Sequence, residues 1–464
     1  MMGLSVSYQV INPETHEVED ATTSARSLLT VDGIRFMFTG VVQNFMNFNA
    51  VGVIIVAMVG VGVAEESGLV KALIRKLVVV TPGHVLTYVL VFVGIVSSIA
   101  ADAGYLVLIP LAGAAFISVG RHPLAGLAAA FAAVAAAFLV NVLIVPTDGI
   151  LTELTNDAIH LVNPTISIDL AANVWFSIAS VVMLTIVIGL ITERIVEPRL
   201  GAYGGDYTLK DDGALSVDEY RGLRFALYGL IGVVGFIALL TLPGGAPLRN
   251  PETGAIIGSS PFMNSLIVSI ALLFLVCGIA YGIGARTMKG TIDVVNAMTK
   301  AIASLSGLIL LLLVISQFLA YFNYTNMATL AAVSLADVLE HANLNALWLL
   351  IGFVIVVFLL DFVITGAIPK WAIFAPVFVP LLMRLNVEPE AVLAAYRVGD
   401  SPINAITPLN AYFAMIVTFA QRYEKDAGVG TVIALMLPYI AVMCVVWTLL
   451  LVLWYLLGLP WGLG

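Results

Sequence analysis

Asp361, Arg397 and Asp400 lie in stretches that are otherwise apolar enough to enter a lipid bilayer. Lipid offers no hydrogen bonds, so an ionisable side chain persists at that depth only where protein or trapped water satisfies it, and it marks an ion or substrate path. The segment YRVGDSPINAITPLNAYF, Tyr396 to Phe413, concentrates this signal. Arg397 and Asp400, three residues apart, share a helix face. They read either as a mutually neutralising pair or as a coupling-ion carboxylate with an arginine that tunes it or holds a substrate anion. Gly399, Pro402 and Pro408 interrupt the helix and leave carbonyls free in mid-membrane. Asn404 adds a hard oxygen of the kind Na⁺ needs in numbers. Asp361 is flanked by Leu359, Leu360 and Phe362, and an unpaired carboxylate there is expected to be protonated or cation-bound.

A second set lies upstream. In LVNVLIVPTDGILTELTND, Asn141 falls within a span, Pro146 is expected to break it, and Asp148 follows as a helix cap, a loop acid or a transport acid. SSIAADAG offers Ser97, Ser98 and Asp102; Asp102 could cap the helix that follows, and the hydroxyls could bond their own carbonyls. TGAIPK offers Thr365. Trp371, just beyond it, either packs or presents a ring face to an aromatic substrate.

The elements that must carry these residues follow from composition. The chain has 464 residues, 61% hydrophobic and 11% charged, where soluble domains carry about 25% charge; mean hydropathy is +1.06. It is therefore one polytopic membrane unit, residues 1–464, with no room for a separate catalytic domain. The net charge of −9 comes from loop acids rather than an acidic tail, and no basic run suggests nucleic acid. Cys277 and Cys444 both fall in apolar spans, where a thiol acts as a small hydrophobe. The histidines are scattered, and no zincin motif, nucleophile elbow or phosphate loop is present. ATP-driven pumping and hydrolysis lack residues. The polar N-terminus has no signal-peptide pattern and is expected to be a loop.

Apolar runs of spanning length occur near 46–64, 124–146, 172–193, 223–243, 261–284, 301–322, 389–421 and 430–458. Two further regions, 83–119 and 345–383, are pairs of apolar legs around SSIAADAG and TGAIPK. They are either ordinary helix pairs or re-entrant hairpins. Read as hairpins, they place most Lys and Arg on the cytoplasmic side, leave Arg26, Arg35, Arg249 and Arg384 outside, in line with the positive-inside rule, and keep Lys370 and Arg397 in the membrane. Reading one region alone as two crossings spoils that split, and reading both so largely restores it. Tyr105, Pro110, Pro123, Leu127, Ala128 and Ala129 recur as Trp371, Pro376, Pro389, Leu393, Ala394 and Ala395 at a constant offset of 266. The first unit enters from the cytoplasm and the second from outside, the pattern of an inverted repeat whose interface holds the substrate and ion sites. The fold class is an all-α polytopic membrane protein, an inverted-repeat transporter with two re-entrant helical hairpins and broken transmembrane helices. Residues 83–146 and 345–421, each a hairpin plus a broken helix, form the transport core. Residues 46–64, 172–322 and 430–458 are mainly scaffold. The alanine-rich LAGLAAAFAAVAAAFL is assigned to close helix packing.

The sequence resembles the AbgT family of p-aminobenzoyl-glutamate transporters over essentially its whole length. The resemblance is carried by VGVAEESGL, DAGYLVLIPL, GRHPLAGLAAAFA, ITERIVEPRLG, KWAIFAPVFVPLL, AAYRVGDS, NAITPLNAYF and KDAGVGTVIALMLPY. It implies a homodimer of the bacterial inner membrane, each protomer with nine transmembrane helices and two hairpins. Only eight spans are counted, so the family's first helix is expected to be missing. It implies import of p-aminobenzoyl-glutamate, or proton-driven export of p-aminobenzoate and sulfonamide antimetabolites. By motif, Asp148, Trp371, Pro389, Arg397 and Asp400 take the transport positions, and Asp361 aligns with a sodium ligand that is usually Asn. That departure adds a titratable charge and favours proton coupling. Ile368, Pro402 and Ile403 stand where small polar or hydroxyl residues are usual, which thins the sodium ligands. The expectation is a secondary active transporter, not an enzyme, coupled to Na⁺ or H⁺, with export preferred and cation-coupled uptake as alternative. Asp361, Asp400, Asn404, Asp102, Ser97, Ser98 and Thr365 are the candidate coupling-ion residues. A passive channel is the rival of another class.

Overall fold

The computed structural model describes residues 5–11, 18–79, 81–99, 104–205, 215–257, 260–327, 330, 345–362, 366–410 and 412–463. Nearly all of it is helix, because a backbone in hydrocarbon must satisfy its own hydrogen bonds. The exception is N-terminal: β1 (Ser5–Ile11) pairs antiparallel with β2 (Val18–Ser24), so the stretch expected as a loop is a hairpin ladder at both ends.

The helices are α1 (Val31–Thr39), α2 (Val41–Met46), α3 (Asn49–Glu66), α4 (Leu69–Val79), α5 (Leu86–Val96), α6 (Ile109–Ser118), α7 (Pro123–Ala135) and α8 (Pro146–Ile159). They continue as α9 (Val174–Leu200), α10 (Val217–Thr241), α11 (Leu266–Gly284), α12 (Thr291–Ser304), α13 (Ser306–Tyr324) and α14 (Ala346–Asp361). The last four are α15 (Ala367–Arg384), α16 (Pro389–Asp400), α17 (Phe413–Gln421) and α18 (Val429–Leu456). Among the described residues, six helices are long and apolar enough to cross a membrane: α9, α10, α11, α13, α15 and α18. The pair α3 and α4, bent by 62° after Glu66, is together apolar and long enough to be a broken span or a re-entrant loop. The expected span 46–64 thus ends in a sharp bend.

Both hairpin regions double back. The first is Leu86–Ile99 and Gly104–Ser118, the second α14 and α15. At 1.5 Å per residue the three legs other than α15 reach about 20–24 Å, short of the roughly 30 Å hydrocarbon core, while α15 has the length of a crossing and is placed in the hairpin by its packing against α16. In hairpin one the two outer ends meet: Arg121 Nη1 donates to Thr87 Oγ1 at 2.8 Å, and both side chains reach Glu193. In hairpin two the inner ends meet, where Lys370 pairs with Asp361.

Each hairpin is followed by a helix that packs on both of its legs, α7 on α5 and α6, α16 on α14 and α15. Both start with proline at the first helical position, Pro123 and Pro389, where a missing N–H costs nothing. Every residue of α7 is buried. Its small side chains make that possible: a Cβ on Gly126 would lie 2.5 Å from the Ala112 carbonyl oxygen, and one on Gly94 2.6 Å from Ala133 Cβ.

Two expected spans are broken. The run 124–146 is helical only to Ala135; residues 136–145 are unwound, and Pro146 opens α8 rather than ending a helix. The run 389–421 stops at Asp400, makes one 3₁₀ turn at Pro402–Ala405, and resumes at Phe413. Pro402 and Pro408 sit in this break as expected, but Gly399 is helical. Its role is contact: a Cβ there would lie 2.7 Å from Val357 Cβ, so glycine lets α16 close on α14.

The two units interlock reciprocally. Tyr105 of hairpin one stacks on Tyr412 at the break of unit two, centroids 4.2 Å apart, while Trp371 of hairpin two donates its indole N–H to Thr155 of α8 in unit one. Single cysteines placed at His84 and Ser118 in a cysteine-free background should react with a membrane-impermeant maleimide from the same side, and one at Thr165 from the other. Labelling of positions 84 and 118 from opposite sides contradicts the re-entrant hairpin.

Candidate functional site

The helix α16 carries two buried charge clusters whose partners come from different units. Asp361 arrives at the C-terminal end of α14; Gly366, with φ +93°, reverses the chain; and α15 sets Lys370 in its first turn. The Lys370 ammonium bridges Asp361 Oδ1 and Asp400 Oδ1, 2.6 Å from the latter, and all three side chains are fully buried. The Tyr396 hydroxyl lies 2.7 Å from Asp400 Oδ1 and 2.6 Å from the Ala367 carbonyl oxygen, and its one proton serves one of them at a time. Among the described residues, Oδ2 of Asp361 and Oδ2 of Asp400 have no partner. Two carboxylates facing one ammonium leave the cluster one formal negative charge out of balance.

The second cluster joins α16 to unit one. Arg397 Nη1 donates to Asp148 Oδ1 at 2.6 Å and to the Leu139 carbonyl, left free by the unwinding of α7, at 2.7 Å. Its Nε donates to Asn173 Oδ1 at 3.2 Å. Asp148 does two jobs: its Oδ2 accepts the Val145 N–H at the start of α8, at 2.8 Å, while Oδ1 takes the arginine. Asn141, in the unwound segment, donates to the Val96 carbonyl and Ser98 Oγ, tying the break to hairpin one. These groups line a cavity of about 330 Å³ with Arg397, Asp148, Asn141, Asn173 and Ser177 on its polar wall. Ile99, Leu143, Leu170 and Phe274 line the apolar side. A planar guanidinium beside an apolar slot suits a small aromatic carboxylate. Leu170 also lines a larger acidic cavity, of about 950 Å³, bordered by Glu153, Asp169, Glu388 and Glu390. Burial raises the Asp169 carboxyl above its ordinary range.

The residue types, their order and the interlocked broken helices can be compared with known proteins. A family model for AbgT transporters matches residues 1–464. The chain belongs to the AbgT transporter family. The p-aminobenzoyl-glutamate transport protein of Escherichia coli (strain K12) is 36% identical over 439 residues, 95% of this chain and 86% of that one. The crystal structure of the Alcanivorax borkumensis YdaH transporter, described as having an unusual topology, superposes with a TM-score of 0.91 at 41% identity, covering 98% of this chain and 95% of that one. The Neisseria gonorrhoeae transporter MtrF, described as one of a class of antimetabolite efflux pumps, superposes at 0.92 with 39% identity, covering 100% and 92%. This AbgT protein is accordingly a multi-pass transporter of the bacterial inner membrane and not an enzyme.

Arg397 and Asp400 do not neutralise each other; each is paired across to another element. Trp371 is fully buried, stacked on Tyr396 with centroids 4.4 Å apart, so its ring is not on the cavity wall in this conformation. Pro389 opens α16 and touches neither cluster directly. Ser97 donates to the Gly94 carbonyl, the self-bonding reading, whereas Ser98 belongs to the Asn141 link. Asn404 donates to the Asp400 carbonyl at 2.7 Å and so satisfies an acceptor that the break frees. Asp102 and Thr365 lie outside the described residues. Lys370, Tyr396 and Asn173 were not singled out from sequence. Lys370 carried a usable signal, a lone cation nine residues after Asp361 across a reversal of the chain.

Lys370→Ala leaves two buried carboxylates facing each other, an expected cost of about 3–5 kcal/mol, visible as a lower unfolding temperature in detergent. The triple variant Asp361→Asn, Lys370→Ala, Asp400→Asn should recover most of that loss. Wild-type stability in Lys370→Ala would show that the ion triad does not hold the hairpin.

Proposed function

We propose that this transporter is a proton-driven exporter of p-aminobenzoate-type metabolites and sulfonamide antimetabolites, working by alternating access. The observation that carries the reading is a buried arginine, Arg397, that lines an apolar cavity and pairs there with a carboxylate, Asp148. A substrate anion takes Asp148's place on Arg397, with its ring against Leu143 and Phe274. Asp361 and Asp400 carry the coupling proton, which cancels the odd negative charge of their cluster with Lys370. Trp371 and Pro389 act by holding the hairpin and α16 in register.

Formal charge sets the direction. The substrate-loaded core carries more negative charge than the protonated, empty one, and an inside-negative potential works on each charge by about 2.3 kcal/mol per 100 mV. The loaded form is driven outward, and the protonated form returns close to neutral. The acidic cavity beyond Leu170 gathers protons on the outer side. Hairpins and broken helices, residues 83–146 and 345–421, move as the transport core against a scaffold of residues 46–64, 172–322 and 430–458, through which two chains form a homodimer. Cation-coupled uptake of p-aminobenzoyl-glutamate is the second reading, supported by the 36% identity with the Escherichia coli protein.

Purified protein in sodium-free liposomes should move labelled p-aminobenzoate against its gradient when a pH gradient is imposed. At clamped pH, a potential negative on the cytoplasmic face should speed export. Mere equilibration under both conditions would indicate a channel. Asp400→Ala should abolish gradient-driven flux while the protein still inserts and assembles; wild-type flux in that variant removes Asp400 from the mechanism.

A further inference from the structure

The family resemblance implies a sodium ligand at Asp361, beside the coupling-ion candidate Asp400, and the residues present do not fit a sodium ion there. The place where a metal ion would meet both carboxylates is taken by the Lys370 ammonium, which contacts Oδ1 of each. We infer that Lys370 is a tethered cation that replaces sodium, so that this transporter neither binds nor requires Na⁺ at its coupling site. The inference deepens the reading of Asp361 and Asp400 as the coupling pair and rests on it.

Three observations support the replacement. First, a metal ion bound by the same carboxylates would sit beside an ammonium that cannot leave, since its side chain is fully buried and anchored in the first turn of α15. Like charges in a low-dielectric site repel strongly. Second, the surrounding donors face the wrong way for a metal. The Asn404 amide donates to the Asp400 carbonyl, the Tyr396 hydroxyl points to Asp400 and Ala367, and Ile403, buried beside the break, brings no oxygen on its side chain. A sodium ion needs several hard oxygens converging on it; beyond the two unpartnered carboxylate Oδ2 atoms, these neighbours supply N–H, O–H and hydrocarbon.

Third, the internal repeat provides a control. At the offset of 266, Asp361, Lys370 and Asp400 correspond to Ile95, Gly104 and Val134. Unit one brings two of these positions together: a Cβ on Gly104 would collide with Ser97 Oγ and lie 2.9 Å from Val134 Cγ1, and Ile95 is fully buried. There the contact between hairpin and following helix is uncharged, its one polar group the Ser97 hydroxyl. The architecture therefore has no packing need for an ammonium at this position, and Lys370 is present for its charge.

Thermal unfolding of the full-length protein in detergent, with NaCl against equimolar choline chloride, tests this together with binding of radioactive sodium. Wild type should show no sodium-specific rise in unfolding temperature and no saturable sodium binding. The variant Asp361→Asn, Lys370→Gln keeps the formal charge of the cluster and opens the ammonium's place to two amide oxygens; sodium should stabilise it and bind saturably. If that variant does not fold, Lys370→Gln alone, with both carboxylates kept, carries the same expectation. Sodium-specific stabilisation or binding in wild type overturns the inference, as does a folded Lys370 variant that remains indifferent to sodium. Failure of proton-driven flux in sodium-free liposomes would instead sink the transport reading, whatever the binding result.

Discussion

A charge buried away from water must find its opposite, and in this protein that constraint decides where the hairpins and broken helices meet. The Lys370 ammonium between Asp361 and Asp400 fastens three pieces of chain at one point: the end of α14, the start of α15 and the end of α16. Arg397, one turn back on α16, fastens the same helix to Asp148 and to the unwound end of α7. Remove either pairing and a helix break is left with a charge and free carbonyls in hydrocarbon. The breaks and the charges are thus mutually dependent, since the unwound backbone supplies acceptors that intact helices would not, and the buried cations use them.

This arrangement makes α16 a mechanical link between two chemistries. One end of its last turn faces the cavity that Arg397 and Asp148 line, and the other closes the cluster of Asp361, Lys370 and Asp400, which carries one formal negative charge. A change of occupancy at either place alters the cost of keeping α16 where it is, which is what a coupled carrier requires of its bistable element. The reciprocal packing of the units gives the link something to move against: each hairpin's aromatic residue rests on the helix beyond the other unit's break, Tyr105 on Tyr412 and Trp371 on α8. The units share an architecture but not their charges: Asp361, Lys370, Arg397 and Asp400 belong to unit two, and unit one supplies Asp148.

Much of this was legible in the sequence because hydrophobic runs and intramembrane charges are strong signals. The hairpins, the internal offset of 266, the break after Asp400 and the presence of Asp361, Arg397 and Asp400 inside the membrane could all be read from residue types. Partner choice could not. Arg397 and Asp400 share a face at three-residue spacing, yet each is drawn to a partner distant in sequence, since tertiary packing places Asp148 and Lys370 closer to their charges. The early end of α7 was hidden as well. An alanine-rich run with proline only at position 146 reads as helix throughout, whereas the unwound segment 136–145 turns the Leu139 carbonyl to Arg397 and the Asn141 amide to Val96, contacts distant in sequence. Trp371 looked like a ligand-facing aromatic because it follows a hairpin tip, but the ring that covers Tyr396 has no face to spare.

The central claim is that binding of an anion at Arg397 and of a proton at the Asp361, Lys370 and Asp400 cluster oppose each other through α16. The most direct measurement is the proton balance of substrate binding, followed with a pH-sensitive dye in a weakly buffered solution of purified protein. Addition of p-aminobenzoate should release protons from wild type and none from the neutral variant Asp361→Asn, Lys370→Met, Asp400→Asn. Proton uptake by wild type, or equal release by both proteins, would contradict the account.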